Sequence, residues 1–197
     1  MPKLSTKPVR FSPNAFEYFD IAHRQKKNKA WLEKHLDEYE EFVSKPFVAL
    51  VELLHQEFSG DLPKIDFLKR RISRPLRRNR DADGGIVRTQ ATAYFAEKTT
   101  SQFEWNPGIY FSLGAKADDN IFALGLYMVS SRQMSRLREG LVNDFDTIEG
   151  VLGAKKLVSR WGGLSGEMYK RFPKGFDESL PTAKLLKHKQ FFLSQSL

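Results

Sequence analysis

The chain has 197 residues, 41% of them hydrophobic and 28% charged, which suits one soluble globular domain with a buried core; sixteen Phe and three Trp exclude general disorder. It contains no cysteine, which excludes disulfides and thiolate chemistry and points to a reducing, cytoplasmic setting. A net charge of +8 and a pI near 9.6 favour acidic partners such as nucleic acid or phosphorylated small molecules.

Residues 1–10 read as a flexible arm with two prolines and no periodicity, and 11–197 as a single α+β domain. The opening MPKLSTKPVRFSP lacks the apolar run of a cleaved leader. The longest apolar run, Phe47 to Val51, is five residues, far short of the roughly 20 a membrane helix needs, so no membrane association is expected.

Ser12-Pro13 predicts a helix start, followed by a stripe of Phe16, Phe19 and His23. The run Arg24 to Lys29 interrupts it. A second helical pattern spans Ala30 to Phe58, with Trp31, Leu32, Leu36, Tyr39, Val43, Phe47 and Val51 on one side. Pro46 predicts a kink, or a restart capped by Ser44, and Gly60 ends the pattern. Thr89–Ala96, Ile109–Leu113 and Ile121–Val129 read as strands, the last two forming a hairpin around Gly114–Asn120. Ser131 is expected to cap a helix carrying Met134, Leu137, Leu141 and Phe145, and Asp146–Leu152 a short one closed by Gly153. Lys155–Ser159 and Glu167–Phe172 read as weak strands around the turn at Trp161-Gly162-Gly163. Pro181 opens a last short helix, and the apolar ending from Phe191 suggests a docked strand. The expected fold is α+β: N-terminal helices packed on a mostly antiparallel sheet, with further helices after the central hairpin.

Between the first helices and the sheet lies Lys69 to Arg88, KRRISRPLRRNRDADGGIVR, whose eight basic residues against two aspartates hold most of the chain's excess positive charge. If this segment is extended, Arg71 and Arg77 point one way and Arg74 the other. If it is helical, Arg70, Arg74 and Arg77 share a face, although Pro75 and Gly84-Gly85 oppose a long helix. Either geometry presents guanidinium forks suited to phosphate or carboxylate. The alternative is structural: the arginines pair with some of the twenty-four acids of the chain.

Other patterns carry less. Asn79 to Gly84 imitates the first half of a calcium loop, but the twelfth position is Gln90 and arginines crowd the cation, so a surface turn is the better reading. His23, His35, His55 and His188 have no metal-ligand spacing. Gly163-Leu164-Ser165-Gly166 misses both the nucleophile elbow and the phosphate loop. Asp118 and Asp119 sit on a loop tip, without the shelter that acid–base chemistry requires. Phe95, Phe103, Trp105, Tyr110 and Phe111 follow the basic stretch, where aromatic faces can stack on bases, but strand aromatics are mostly core. No catalytic residue, metal ligand or cofactor motif emerges.

Several landmarks occur in a specific order: Lys26-Lys27-Asn28-Lys29-Ala30-Trp31-Leu32; Tyr39, Val43 and Pro46; Arg71-Ile72-Ser73-Arg74-Pro75-Leu76-Arg77-Arg78; Ile86-Val87-Arg88-Thr89; Gly125-Leu126-Tyr127; and Pro173-Lys174-Gly175-Phe176. In this order the chain resembles a bacterial family catalogued as domain of unknown function 2461, over roughly residues 11 to 193. The resemblance implies a compact α+β domain and brings no activity with it. Pro75 and Arg78 stand where the family has Asp and Phe, and of its Pro-Tyr-Lys-Thr element only a basic residue and Thr89 persist; a polar site built on that Asp would be altered here.

The expected function is binding of an anionic ligand, nucleic acid or phosphate-bearing with nucleic acid the leading candidate, through Arg71, Arg74, Arg77, Arg88, Thr89 and Lys174. Two alternatives stand: an enzyme using the arginines to clamp a small phosphorylated or carboxylated substrate, and an interaction module in which they are internal ties. The sequence carries no signal for oligomeric state.

Overall fold

The computed structural model describes residues 9–67, 72–97 and 106–197. Helices come first: α1 (Pro13–Arg24), α2 (Lys29–Lys34), α3 (Leu36–Tyr39) and α4 (Lys45–Phe58). Strands β1 (Gln90–Ala96), β2 (Gly108–Gly114) and β3 (Ile121–Leu126) follow, then helices α5 (Ser131–Asn143), α6 (Phe145–Leu152), α7 (Lys155–Trp161) and α8 (Ala183–Leu186), and finally β4 (Phe191–Ser196). The four strands form one antiparallel sheet in the order β1-β2-β3-β4. This is the α+β arrangement expected, including the docked final strand. Among the described residues no helix is long and apolar enough to cross a membrane.

The chain divides into two compact units. One comprises Met1–Ala96, Tyr110–Phe122 and Ser196–Leu197; the other comprises Glu97–Ile109 and Ala123–Gln195.

In the first unit, α1 buries Ala15, Tyr18, Phe19 and Ala22. The expected stripe shared only Phe19 with this face, because His23 lies exposed and the small alanines let the helix approach its neighbours closely. Asn28 caps α2 by accepting the Trp31 N–H at 3.0 Å. Pro46 does mark a restart, but Ser44 makes no side-chain cap. A π turn at Glu40–Ser44 resolves the problem of the missing donor: the Lys45 N–H reaches back five residues to the Glu40 carbonyl, and α4 resumes with Pro46 in its first turn. Phe47 is fully buried and meets the rings of Phe11 and Phe111 at centroid distances of 5.5 and 5.4 Å. Phe95 is likewise buried, 5.3 Å from Phe67. Of the aromatics that follow the basic stretch, Phe95 is therefore core, and Tyr110 and Phe111 are half-buried; Phe103 and Trp105 lie outside the described residues.

In the second unit, the cap of α5 is Ser130, one residue before the expected Ser131. Its hydroxyl accepts the Gln133 N–H, and Gln133 accepts the Ser130 N–H in return, a reciprocal box that only this register allows. β3 stops at Leu126 rather than Val129, leaving Tyr127 and Met128 exposed. Lys155–Ser159 is helix α7, not a strand: Leu157 and Val158 share a helical face with Trp161, and Gly162 ends the helix at φ 71°. Glu167–Phe172 forms no strand either, only a bridge between Met168 and His188, with Gly166 at φ 103° before it and the chain bending at Lys170 and Arg171 after it. At Gly125 a Cβ would collide with the Phe191 carbonyl oxygen, so β4 reaches β3 only across a glycine.

Candidate functional site

From Ile72 onward the arginine-rich segment is extended. Ile72 bridges Ala93 of β1, and Ser73 is held twice, its N–H donating to the Thr92 carbonyl at 2.8 Å and its hydroxyl accepting the Thr92 N–H at 2.9 Å. The chain then folds on itself. Leu76 bridges Val87 in antiparallel sense, the Arg77 N–H donates to Ile86 and the Arg88 N–H to Pro75, both at 2.8 Å. Val87 is wholly buried, which fixes the inward face of this small hairpin.

Asp81 shapes its tip. The carboxylate accepts the Gly85 N–H at 2.6 Å and the Asp83 N–H at 3.1 Å, a side chain standing in for a backbone turn. A Cβ on Gly85 would meet the Asp81 carboxylate at 2.6 Å, so a side chain there would push that carboxylate out of its place. The Gly85 hydrogen bond, with the nearby Arg77 charge, holds the Asp81 carboxyl below the usual carboxylate range. The calcium-like pattern is thus a surface turn whose organising carboxylate is engaged by its own amides. Among the described residues no group of three His, Asp or Glu stands where it could hold a metal ion.

The hairpin seats on the connection between α1 and α2. The Lys26 carbonyl accepts the N–H groups of both Ile86 (2.7 Å) and Val87 (2.9 Å), and the Lys26 ammonium pairs with Asp83 at 3.0 Å.

This ladder sorts the arginines. Since Leu76 and Val87 lie opposite and turn inward, Arg77 and Arg88 share the other face, diagonally across the two strands. Arg77 is half-buried, its Nε 3.7 Å from Asp81, too long for a hydrogen bond. Arg88 is half-buried too. The Nε atoms of both lie out of contact with solvent and find no hydrogen-bond partner among the described residues. Burial, reinforced by the Arg77 charge, pulls the Arg88 guanidinium down from its ordinary value, while Tyr39 and Tyr110 act in the opposite direction. Guanidinium remains charged across the physiological range even so.

Two tyrosines complete the surroundings. Tyr39, at the end of α3, donates its hydroxyl to the Ser73 carbonyl at 3.3 Å, and burial pushes its pKa up to about 12. Tyr18 of α1 lies with its ring 5.7 Å from that of Tyr39. Its hydroxyl is buried without a hydrogen-bond partner among the described residues, and burial raises its pKa well above the ordinary phenol value.

Of the residues expected from sequence, the structure brings Arg77 and Arg88 together, with Thr89 half-buried beside Arg88. Arg74 is exposed, as are Arg78 and Arg80; Arg80 donates to the Gly84 carbonyl at 2.9 Å. Lys174 is exposed on a turn of the second unit. Arg71 lies outside the described residues. Tyr18 was missed as a polar group, since in sequence it is one more aromatic of an amphipathic helix. Tyr39 was visible only as a helix-face residue.

No curated protein and no solved structure matches the chain. A family model does, over residues 14–197, nearly its full length. The chain therefore belongs to the DUF2461 family, described as "Conserved hypothetical protein".

Proposed function

We propose that this protein binds an anionic ligand, with Arg77 and Arg88 gripping a compact phosphate or carboxylate group. One observation carries the reading: two half-buried guanidinium groups share one face of a hairpin, and neither Nε has a hydrogen-bond partner among the described residues. Two like charges drawn together partly out of water repel and lose hydration. An anion between them reverses both costs and accepts charge-assisted hydrogen bonds. The internal-tie alternative needs carboxylates from neighbouring elements on these two arginines; the described residues offer Asp81 of the same hairpin, at 3.7 Å. The enzymatic alternative needs a general base, and Asp81 is already engaged by the Gly85 and Asp83 amides. In a cytoplasmic setting, phosphorylated small molecules supply such ligands.

Nucleic acid is the second reading, favoured by the exposure of Arg74, Arg78 and Arg80, which extend the charge outward as a backbone-tracking surface would.

Titration calorimetry with inorganic phosphate and pyrophosphate tests the first reading. Arg77→Gln and Arg88→Gln should each weaken binding about tenfold or more, as expected for loss of a charge-assisted contact, while Arg78→Gln should leave it unchanged. Fluorescence anisotropy with short RNA and DNA tests the second; contact with about six phosphates gives a log–log salt slope near −5. Absence of any anion binding at low salt overturns both. Variants at Arg77 or Arg88 that lose folding stability rather than affinity turn the pair into internal architecture.

A further inference from the structure

We propose that the second unit binds a single-chain carboxylate amphiphile, a medium-chain fatty acid in chemical class, in a groove between α5, α6 and the β3–β4 pair. The groove measures about 660 Å³, within the range of sites that hold drug-sized ligands. Its walls are apolar: Leu137 and Leu141 of α5, Ile148 and Val151 of α6, and Leu126 and Phe191 of the strands. No residue of α6 is buried, although half of its sequence, FDTIEGVL, is apolar. Val151 is 58% exposed. A helix of this composition ordinarily hides its apolar face, and here that face borders the groove.

Two residues of α5 select the ligand. Arg136 is the one charged residue lining the groove; it is exposed and makes no ion pair among the described residues, so its guanidinium is open to an incoming anion. Gly140 stands one turn further along the same face, and a Cβ built there meets nothing within 4 Å. Glycine in a helix interior is unfavourable relative to alanine, and no neighbouring atom among the described residues requires it. The empty space above Gly140 continues the apolar floor away from Arg136. A carboxylate on Arg136 with its hydrocarbon laid across Gly140 satisfies the charge and covers the bare face at once. A neutral lipid would gain no charge-assisted contact from Arg136.

The test is a ¹H–¹⁵N titration of the full chain with decanoate and with decanol, both below their aggregation limits. Decanoate should shift α5 and α6 amides and bind about tenfold more tightly than decanol, the size of one charge-assisted contact. Arg136→Gln should erase that difference. Gly140→Leu, which fills the groove, should abolish binding of both while the thermal melt is kept or raised. Val151→Glu, at an exposed position, provides a second variant that should repel decanoate without touching the core. The proposal fails if neither ligand binds, if the two bind alike, or if binding survives both Gly140→Leu and Val151→Glu. It also fails if the protein sediments as a dimer that Gly140→Leu splits, since a second copy would then cover the groove.

Discussion

The first unit displays charge on a framework closed by main-chain hydrogen bonds, whereas the second leaves apolar surface uncovered beside a loosely furnished pair of helices. Val43, Phe47 and Val87 of the first unit are completely buried, and its arginine hairpin is pinned by paired amides and carbonyls along its length. In the second unit α6 and α7 contribute no buried residue. The charged hairpin is thus displayed on a hydrogen-bonded backbone, which satisfies the main-chain groups that burial would otherwise leave unpaired. Apolar display needs only that nothing be packed over it.

The sharpest way to break this contrast is truncation of one apolar residue in each unit. Phe47→Ala should cost about 3–5 kcal/mol in urea denaturation, as deletions of buried aromatics do, while Val151→Ala should change stability by less than about 0.5 kcal/mol. Equal losses would show that α6 is packed as tightly as α4. An intermediate effect is expected at Gly125, where the second unit does pack closely. Gly125→Ala forces a methyl against the Phe191 carbonyl and should cost about 1–3 kcal/mol, read from the same denaturation curves; a neutral result would mean β4 can step back from β3. The smallest effect is local and pH-dependent. The folded Asp81 carboxyl titrates below its ordinary value, so its contribution to the hairpin is complete above the usual carboxylate range and drains away as pH falls through the lowered value. Exchange protection of the Gly85 amide, followed by NMR from neutral to acid pH, should decline only below that ordinary range. Loss of protection at higher pH would remove Asp81 as the organiser of the tip.

Much of this architecture was legible because its signals were local. Ser12-Pro13 and Pro46 each marked a boundary by the amide that proline cannot donate, and the apolar tail from Phe191 declared a strand. Lys155–Ser159 misled because five residues are too few to separate a strand period from a helical one, and the decisive partner, Trp161, lay beyond them. The basic segment announced itself by composition, while Pro75 and the glycine pair opposed a long helix without deciding between the extended and helical geometries. Which two arginines would meet was not legible, because that depends on the pairing of Leu76 with Val87, a register set by the tip that Asp81 closes. Tyr18 was hidden for a different reason: nothing in a sequence tells a phenol that has found an acceptor from one that has not.

The attachment of the charged hairpin through the Lys26 carbonyl bears on how this protein can diverge. Both amides it receives are main-chain groups, so the bond is indifferent to which side chains occupy positions 26 and 86. Arginines around the tip can be gained, lost or replaced over evolutionary time without unseating the platform that carries them. Ligand preference can therefore drift while the mounting stays put, and a change that removes the amide at position 86 or 87, such as a proline, is the kind that lineage could not absorb.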